Sequence, residues 1–181
     1  MTEIRHHPDG LEFKYKFPII TKQVGLGPMT DGHIKRIILE NGDEQSKKTN
    51  VKALMTNWFM HKKHSVFKEI CQQAIDLAME HSPHDINWSA FDCWGSISKK
   101  GEWTKTHDHW PHPWSFVYYS DVSEGCSPLH FPNTTSAGGG YSVQPEKGEL
   151  VMFPGWLYHG TMPQLVDFER VIVAGNLVYK V

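Results

Sequence analysis

The sequence contains few cysteines and no long apolar segment. Its 181 residues include only three cysteines, Cys71, Cys93 and Cys126, which lie far apart along the chain. An odd and sparse set argues against a disulfide framework and against a structural zinc site, so we expect free thiols in a reducing compartment. The apolar runs are far shorter than the roughly 20 residues that a membrane-spanning helix needs.

A strong charge of either sign is also missing. The formal net charge is −2 at pH 7, and the sequence has neither a basic stripe nor an acidic tail. Nucleic-acid binding without catalysis is therefore not indicated, although a nucleic-acid or protein substrate stays open. The first ten residues lack the apolar segment of a secretory signal, which predicts a cytoplasmic protein that does not associate with membranes.

The first half of the chain is predicted to contribute helices. The clearest helix spans residues 63–81, where apolar residues recur at steps of three and four; Ser65 is the expected cap, and Ser82 and Pro83 the expected stop. A shorter helix is expected through Ile34, capped by Thr30 or Asp31 and ended near residues 41–42. Residues 17–20 are predicted to form a short strand.

From residue 86 onward, short runs rich in β-branched and aromatic residues alternate with turn residues, a pattern typical of a β-sandwich or barrel. Strands are predicted at residues 88–98, 104–107, 115–120, 128–131, 141–144, 149–153, 158–161 and 170–179. We therefore predict an α+β, mainly β fold in a single domain over residues 1–181, with helical support at about 30–85 and a β core at about 86–181.

Residues 104–112 concentrate possible metal ligands. His107 and His109 lie two positions apart, so on an extended strand both side chains point to one face, while Asp108 points to the other. Imidazole and carboxylate groups suit Fe(II) when coordination positions stay open. Surface or hydrogen-bonded core histidines give the same pattern. Tryptophans at 94, 103, 110 and 114 flank this segment and are candidates for a pocket wall or for core packing.

Two further segments carry polar residues in apolar surroundings. The stretch 148–160 is predicted to be a strand, a Pro-Gly turn and a second strand near His159, which lies 50 residues after His109 (159 − 109). Arg170 begins an otherwise apolar strand, where an isolated charge is very costly. It either pairs with a protein carboxylate such as Glu169 or Asp167, or offers its planar fork to a ligand carboxylate.

Taken together and in this order, the motifs resemble the Fe(II)/2-oxoglutarate-dependent dioxygenases, in particular the bacterial and phage branch whose first motif is H-x-H and is followed by an S-x-x-Y-Y strand. The matching positions are His107 and His109, the strand 115–119, the segment 148–159 that ends at His159, Arg170 eleven positions later, and Asn176.

The resemblance implies a double-stranded β-helix (a jelly roll) with supporting N-terminal helices. It implies that His107 and His159 bind Fe(II), that His109 takes the place of the family's usual carboxylate, and that Arg170 and Tyr119 bind the far carboxylate of 2-oxoglutarate. Such an enzyme uses O2 to hydroxylate a substrate and releases succinate and CO2. The substrate would be an unidentified small molecule or a peptide or protein side chain, in a bacterial cell or a phage-infected host.

The sequence also departs from the family's pattern. The first motif is more often H-x-D or H-x-E, so either His109 is the third ligand or a distorted strand turns Asp108 inward. Ile172 stands where relatives often have serine or threonine, which removes one partner for the 2-oxoglutarate carboxylate. The alternatives are a cupin-like three-histidine metalloprotein that does not use 2-oxoglutarate, and a non-enzymatic binding or structural module.

Overall fold

The structure is a computed structural model that describes residues 2–6, 12–15, 18–44, 50–82, 86–132, 134 and 140–180. The helices are α1 (Pro28–Asn41) and α2 (Ser65–His81), and a 3-10 turn (Met60–Lys62) precedes α2. The strands, in chain order, are β1 (Thr2–His6), β2 (Glu12–Tyr15), β3 (Ile20–Gln23), β4 (Asp43–Glu44), β5 (Val51–Lys52), β6 (Leu54–Met55), β7 (Trp88–Ser98), β8 (Trp103–His107), β9 (Trp114–Asp121), β10 (Leu129–Phe131), β11 (Tyr141–Val143), β12 (Glu149–Pro154), β13 (His159–Thr161) and β14 (Arg170–Tyr179).

Most strands belong to two antiparallel sheets. The larger sheet has the order β3-β12-β9-β14-β7-β6-β4, and the smaller sheet has the order β11-β10-β13-β8-β5. A separate hairpin joins β1 to β2. One buried cluster lies between the larger sheet and the two helices, and a second cluster lies on the opposite face of that sheet, together with residues of the smaller sheet. The layers are therefore helices, large sheet and small sheet.

Strand β9 illustrates how the large sheet serves two cores. Successive side chains on a strand point to opposite faces. Phe116 and Tyr118 belong to the cluster that packs against the helices, whereas Val117 and Tyr119 belong to the cluster that faces the small sheet. Because both faces are covered, residues 116–119 in the middle of the strand are all apolar or aromatic instead of alternating with polar residues.

The predicted helices are present, but their starts differ from the predictions. Helix α2 buries the expected stripe and ends at His81, yet its N-cap is His64 and no side chain caps it, so the assignment of Ser65 as cap was wrong. Helix α1 begins at Pro28, before both predicted caps. The Thr30 hydroxyl instead donates to the carbonyl of Leu26 at 2.7 Å. The predicted end at residues 41–42 is confirmed.

The prediction of a mainly β fold is confirmed, and the two longest strands, β7 and β14, have the predicted bounds. The other six strands of the β region differ from prediction by at most one residue at an end. The early strand is displaced to Ile20–Gln23, and Phe17 lies outside the described residues. The short strands β4, β5 and β6 were not predicted. Among the described residues, no helix is both long and apolar enough to cross a membrane.

Candidate active site

Three imidazoles converge between strands of the small sheet. His107 ends β8 and lies in register opposite His159, the first residue of β13, while His109 follows two residues after β8. The ring centroid of His107 is 4.8 Å from that of His109 and 4.6 Å from that of His159, and the centroids of His109 and His159 are 5.0 Å apart. One ring nitrogen of each histidine lies within 4.8 Å of the others, close enough to share one metal ion.

Backbone carbonyls orient two of these rings. Nδ1 of His107 lies 2.7 Å from the carbonyl oxygen of Lys105, and Nδ1 of His159 lies 2.9 Å from that of Leu157. A carbonyl only accepts hydrogen bonds, so each Nδ1 carries the proton and each Nε2 keeps a free lone pair. This is the usual way in which a protein fixes the tautomer and the direction of a histidine ligand.

The backbone at Gly155 positions His109. The N–H of His109 donates to the Gly155 carbonyl at 2.7 Å, and the N–H of Gly155 donates to the Pro113 carbonyl at 3.1 Å. A Cβ at position 155 would overlap the carbonyl oxygen of His112, so only glycine allows this close approach. The Pro-Gly turn of the sequence thus ties the segment that carries His109 to the segment that leads into His159.

The side chain of Asp108 is hydrogen bonded to the backbone that follows it. Its Oδ1 accepts the backbone N–H of Trp110 at 3.1 Å, which closes a local turn after β8. The described group of metal-competent side chains around His107 contains His109 and does not contain Asp108. The geometry therefore favours His109 over Asp108 as the third ligand, although the ligand role itself stays a prediction.

Burial keeps the three imidazoles neutral. It lowers the pKa of His109 to about 3, with a further lowering from His107 and His112. It also lowers the pKa of His107, which the Lys105 carbonyl partly offsets, and it lowers the pKa of His159 well below its usual range. Neutral imidazole is the form that binds a metal, so protons compete little for this site near neutral pH.

Arg170 lies in the same cavity as the histidines and is almost fully buried, with 3% of its surface exposed. Nη1 donates to the Ser127 carbonyl at 2.9 Å, and Nη2 lies 3.3 Å from Thr161 Oγ1 and 3.5 Å from Ser98 Oγ. Nε is buried and has no partner among the described residues.

The partners suggested for Arg170 by the sequence are not used. Glu169 pairs instead with Lys35 at 2.8 Å and Lys99 at 3.9 Å. Within the described part of the chain, no carboxylate lies within ion-pair distance of Arg170. Pairing with Glu169 or Asp167 was therefore the wrong interpretation, and the buried guanidinium is left without an anionic partner.

The cavity between the histidines and Arg170 is mainly apolar. Its walls include Val117, Leu129, Phe153 and Ile172. Tyr119 also lines it, on the same face of β9 as Val117. Burial raises the pKa of the Tyr119 phenol, with a partly opposing effect from Arg170, so the hydroxyl stays protonated and can donate a hydrogen bond to an anion.

A second, more open cleft of about 420 Å³ adjoins His107 and His109. Trp94 and Trp110, which the sequence singled out, line it, whereas Trp103 and Trp114 do not. Trp58 also lines it, with its ring centroid 4.7 Å from that of Trp94. Sequence reasoning missed Trp58 because it lies outside the motifs, in a loop of the helical half.

A buried polar network supports the wall of this cleft. Both the backbone N–H and the side-chain amide of Asn176 donate to Oδ1 of Asp92, at 2.9 and 2.8 Å. The hydroxyl of Ser115 donates to Oδ1 of Asn176 at 2.7 Å. The network links β7, β14 and β9, and both Asp92 and Asn176 line the cleft.

A family model matches slightly less than half of the chain. Residues 92–176 match the model described as "Putative 2OG-Fe(II) oxygenase". This segment includes the three histidines, Tyr119 and Arg170. No curated protein sequence matches the chain significantly.

Several solved structures share the fold. The collagen prolyl hydroxylase of Paramecium bursaria Chlorella virus-1, in complex with 2-oxoglutarate, has a TM-score of 0.66 at 16% identity over 90% of this chain and 96% of that one. HygX of Streptomyces hygroscopicus, with nickel, 2-oxoglutarate and hygromycin B bound, has a TM-score of 0.68 at 12% sequence identity, and the match covers 89% of this chain and 82% of HygX. A Trichoplax adhaerens prolyl hydroxylase, in complex with a peptide of a hypoxia-inducible factor, has a TM-score of 0.63 at 13% sequence identity, and the match covers 89% of this chain and 82% of that protein.

The family-model match supports the family, the enzyme class and the cofactors that the sequence predicted, and the structural matches confirm the jelly-roll fold. The narrower assignment to the branch with an H-x-H first motif stays a prediction, as does the bacterial or phage origin.

Proposed function

We propose that the chain is an Fe(II)- and 2-oxoglutarate-dependent dioxygenase. It hydroxylates an organic substrate at a centre built from His107, His109 and His159, with Arg170 and Tyr119 binding 2-oxoglutarate. Succinate and CO2 are the co-products. The proposal assigns each of the five residues a role that the family match alone leaves open.

One observation carries this assignment. A single cavity has three neutral imidazoles on its wall and, elsewhere on the same wall, a buried guanidinium that has no carboxylate partner among the described residues. An isolated buried charge is very costly, so a site that retains one is suited to an anionic ligand. A keto diacid has a carboxylate for the guanidinium at one end and metal-binding oxygens at the other.

The donor set fits Fe(II). Three imidazole nitrogens suit this metal and leave coordination positions open, and the carbonyls of Lys105 and Leu157 hold two of the rings in the metal-binding tautomer. Three neutral ligands leave the ion's charge uncompensated, which favours a dianionic cosubstrate more than a set with one carboxylate does. When bound, the iron supplies O2 activation coupled to the oxidative decarboxylation of 2-oxoglutarate.

The protein's own contribution is orientation and exclusion of water. Arg170 is held by Ser127, Thr161 and Ser98, so its planar fork is in place before a ligand arrives. The Tyr119 hydroxyl adds a second donor, which offsets the loss of a hydroxyl at Ile172. Phe153, Leu129 and Val117 make the remaining surface apolar and strengthen these electrostatic contacts.

The open cleft beside His109 is the proposed entrance for the substrate. Trp58, Trp94 and Trp110 provide flat apolar surfaces there, and Trp110 is 73% exposed. Such a cleft admits a small molecule or a peptide side chain. The structural neighbours include one in complex with a peptide fragment and one with hygromycin B bound.

We also propose that residues 1–181 act as one oxygenase domain in the cytoplasm of a bacterial cell or a phage-infected host. The packing of the apolar stripe of α2 against the large sheet supports one domain, because the helices and the sheet bury a common core.

The test is turnover of 2-oxoglutarate by the Fe(II)-loaded protein, followed as succinate by mass spectrometry, with and without candidate peptides and small molecules. We expect succinate formation that requires His107, His159 and Arg170, and that persists in Arg36→Ala, which changes an exposed arginine on α1. In a cupin-like protein without 2-oxoglutarate, Arg170→Ala would keep full metal-dependent activity, and that result would reject the proposal.

A further inference from the structure

A second group of metal-competent side chains lies away from the active site. His61, Cys71 and Cys93 each place one ligand atom within 4.8 Å of the other two. Cys93 is on β7 and belongs to the core cluster on the helix side of the large sheet, while its neighbour Trp94 belongs to the cluster on the opposite face. The sheet therefore separates this group from the active-site cavity.

Three separate elements supply the group. His61 comes from the 3-10 turn, Cys71 from α2 and Cys93 from β7. Backbone hydrogen bonds hold the segment that precedes His61 against β7. The N–H of Cys93 donates to the Trp58 carbonyl at 2.7 Å, and Phe59 forms an isolated β-bridge with Cys93. No compact cysteine motif arises from such an arrangement, which is why the sequence argued against a zinc site.

Burial differs among the three ligands in a way that suits a bound ion. Cys71 is 3% exposed and Cys93 is fully buried, while His61 is only partly buried and lies nearest to solvent. Nδ1 of His61 is buried and makes no hydrogen bond within the described residues. A buried ring nitrogen without a partner costs free energy that a metal bond would recover.

We propose that His61, Cys71 and Cys93 form a binding site for a thiophilic divalent cation, best represented by Zn(II). Two thiolates neutralise the charge of the ion, and a sulfur-rich set selects zinc over iron or magnesium. The active-site group contains no sulfur, so the two sites prefer different metals. Three protein ligands leave the fourth tetrahedral position to water or another small ligand.

The bound cation would join the helical layer to the strand that carries Asp92 and Trp94 into the substrate cleft. Metal binding to the native state alone adds its binding free energy to the stability of the protein. The site therefore stabilises the fold from behind the cleft and takes no part in the oxidation.

Cobalt(II) is the probe for this site, because thiolate-to-cobalt charge-transfer absorption reports sulfur ligands and is silent for an all-histidine site. The starting protein carries His107→Ala and His159→Ala, which remove two ligands of the other centre. We expect one cobalt per chain with charge-transfer absorption, displaced by one equivalent of Zn(II), and a higher thermal midpoint with Zn(II) than with chelator.

Variants of each ligand test the assignment in the same background. Cys71→Ala and His61→Gln should abolish the tight site or weaken it by at least about tenfold, the smallest effect common for residues around a metal. Cys126→Ser removes the third buried cysteine, outside the cluster, and should leave the spectrum unchanged. Because His61 is partly exposed, His61→Gln tests the site without disturbing the core, and circular dichroism verifies folding of each variant.

Three results would overturn the proposal: no sulfur-to-cobalt absorption in the folded starting protein, absorption that survives in both Cys71→Ala and His61→Gln, or absorption that depends on Cys126. None of these bears on the oxygenase, whose test uses the intact histidine centre. Absence of succinate formation would equally leave the thiolate site standing.

Discussion

His107 and His159 face each other across the antiparallel pair β8 and β13, in register and with ring centroids 4.6 Å apart. The proposed metal centre therefore depends on a long-range strand pairing, and His109 would complete it from the residues that follow β8. Asp108, between the two motif histidines, instead accepts the N–H of Trp110. Substitutions at positions 107 and 109 should therefore affect metal binding differently from a substitution at position 108.

We predict that His107→Ala and His159→Ala lose stoichiometric Fe(II) binding, because each removes one of three nitrogen ligands. Asp108→Ala should keep it, since that carboxylate only closes a turn. Anaerobic equilibrium dialysis with Fe(II) measures the effect. His109→Asp restores the more common carboxylate ligand and should retain the metal. Loss of iron in Asp108→Ala together with retention in His109→Ala would reverse the assignment of the third ligand.

Gly160, next to His159, controls how closely β13 approaches β8. A Cβ there would lie 2.8 Å from the Thr104 carbonyl oxygen and 3.0 Å from the N of Thr106, and both contacts are with backbone that cannot rotate away. We predict that Gly160→Ala separates the strands, displaces His159 and weakens Fe(II) binding, measured by the same dialysis. Gly32→Ala is the control, because its Cβ meets nothing within 4 Å. Equal iron affinity in both variants would contradict this prediction.

Arg170 and Tyr119 are predicted to bind 2-oxoglutarate with different strengths. Truncating one partner of a buried charge pair costs about 2–5 kcal/mol, so Arg170→Ala should lower the affinity at least about 30-fold. Arg170→Lys keeps the positive charge but loses the planar guanidinium group, so it should restore only part of the affinity for 2-oxoglutarate. Tyr119→Phe removes one hydrogen bond to an anion, about 1.5 kcal/mol or roughly tenfold. Calorimetric titration of the Fe(II)-loaded protein without O2 measures each value.

The control for this series is the metal itself. All three variants should bind Fe(II) as the unchanged protein does, because neither residue belongs to the imidazole group. An unchanged affinity for 2-oxoglutarate in Arg170→Ala would mean that the guanidinium only supports Ser127 and Thr161, to which it is hydrogen bonded.

Local patterns predicted what is decided locally. The apolar stripe of α2 and the bounds of β7 and β14 follow from side-chain periodicity and turn residues. The predicted helix starts were wrong because no side chain caps either helix, and the Thr30 hydroxyl instead bonds back to the Leu26 carbonyl four residues earlier. The convergence of the histidines required the family resemblance, since no local signal specifies that β8 pairs with β13.

Contacts between residues that are distant in the chain could not be predicted from the sequence pattern. Glu169 directly precedes Arg170, the first residue of β14, yet it pairs with Lys35 at the surface, whereas Arg170 is buried in the cavity. The cluster of His61, Cys71 and Cys93 forms only when the turn, the helix and the strand pack together.

Asn176 is predicted to matter for stability. It is 2% exposed and joins Asp92 to Ser115 through three hydrogen bonds. Asn176→Ala keeps the backbone bond but leaves the buried Asp92 carboxylate and the Ser115 hydroxyl short of partners, which should lower the free energy of unfolding by about 2–4 kcal/mol. Urea unfolding measures it. Asn41→Ala, at the exposed end of α1, should cost less than about 1 kcal/mol; an equal loss in both would show that the network contributes little.

The neutral imidazoles predict how the stability of the metal-free protein depends on pH. An unfolded histidine has a pKa of about 6.5, whereas burial lowers the pKa of His109 to about 3 and also lowers those of His107 and His159. Between these values the unfolded chain binds more protons than the folded chain, so stability rises with pH. The contribution is complete above about pH 6.5 and is lost progressively as the pH falls toward 3.

Urea unfolding in the presence of a chelator should give a lower free energy of unfolding at pH 5.5 than at pH 7.5, and His109→Gln should reduce that difference. An identical pH dependence in the unchanged protein and in His109→Gln would mean that His109 takes up its proton equally in both states, contrary to its burial.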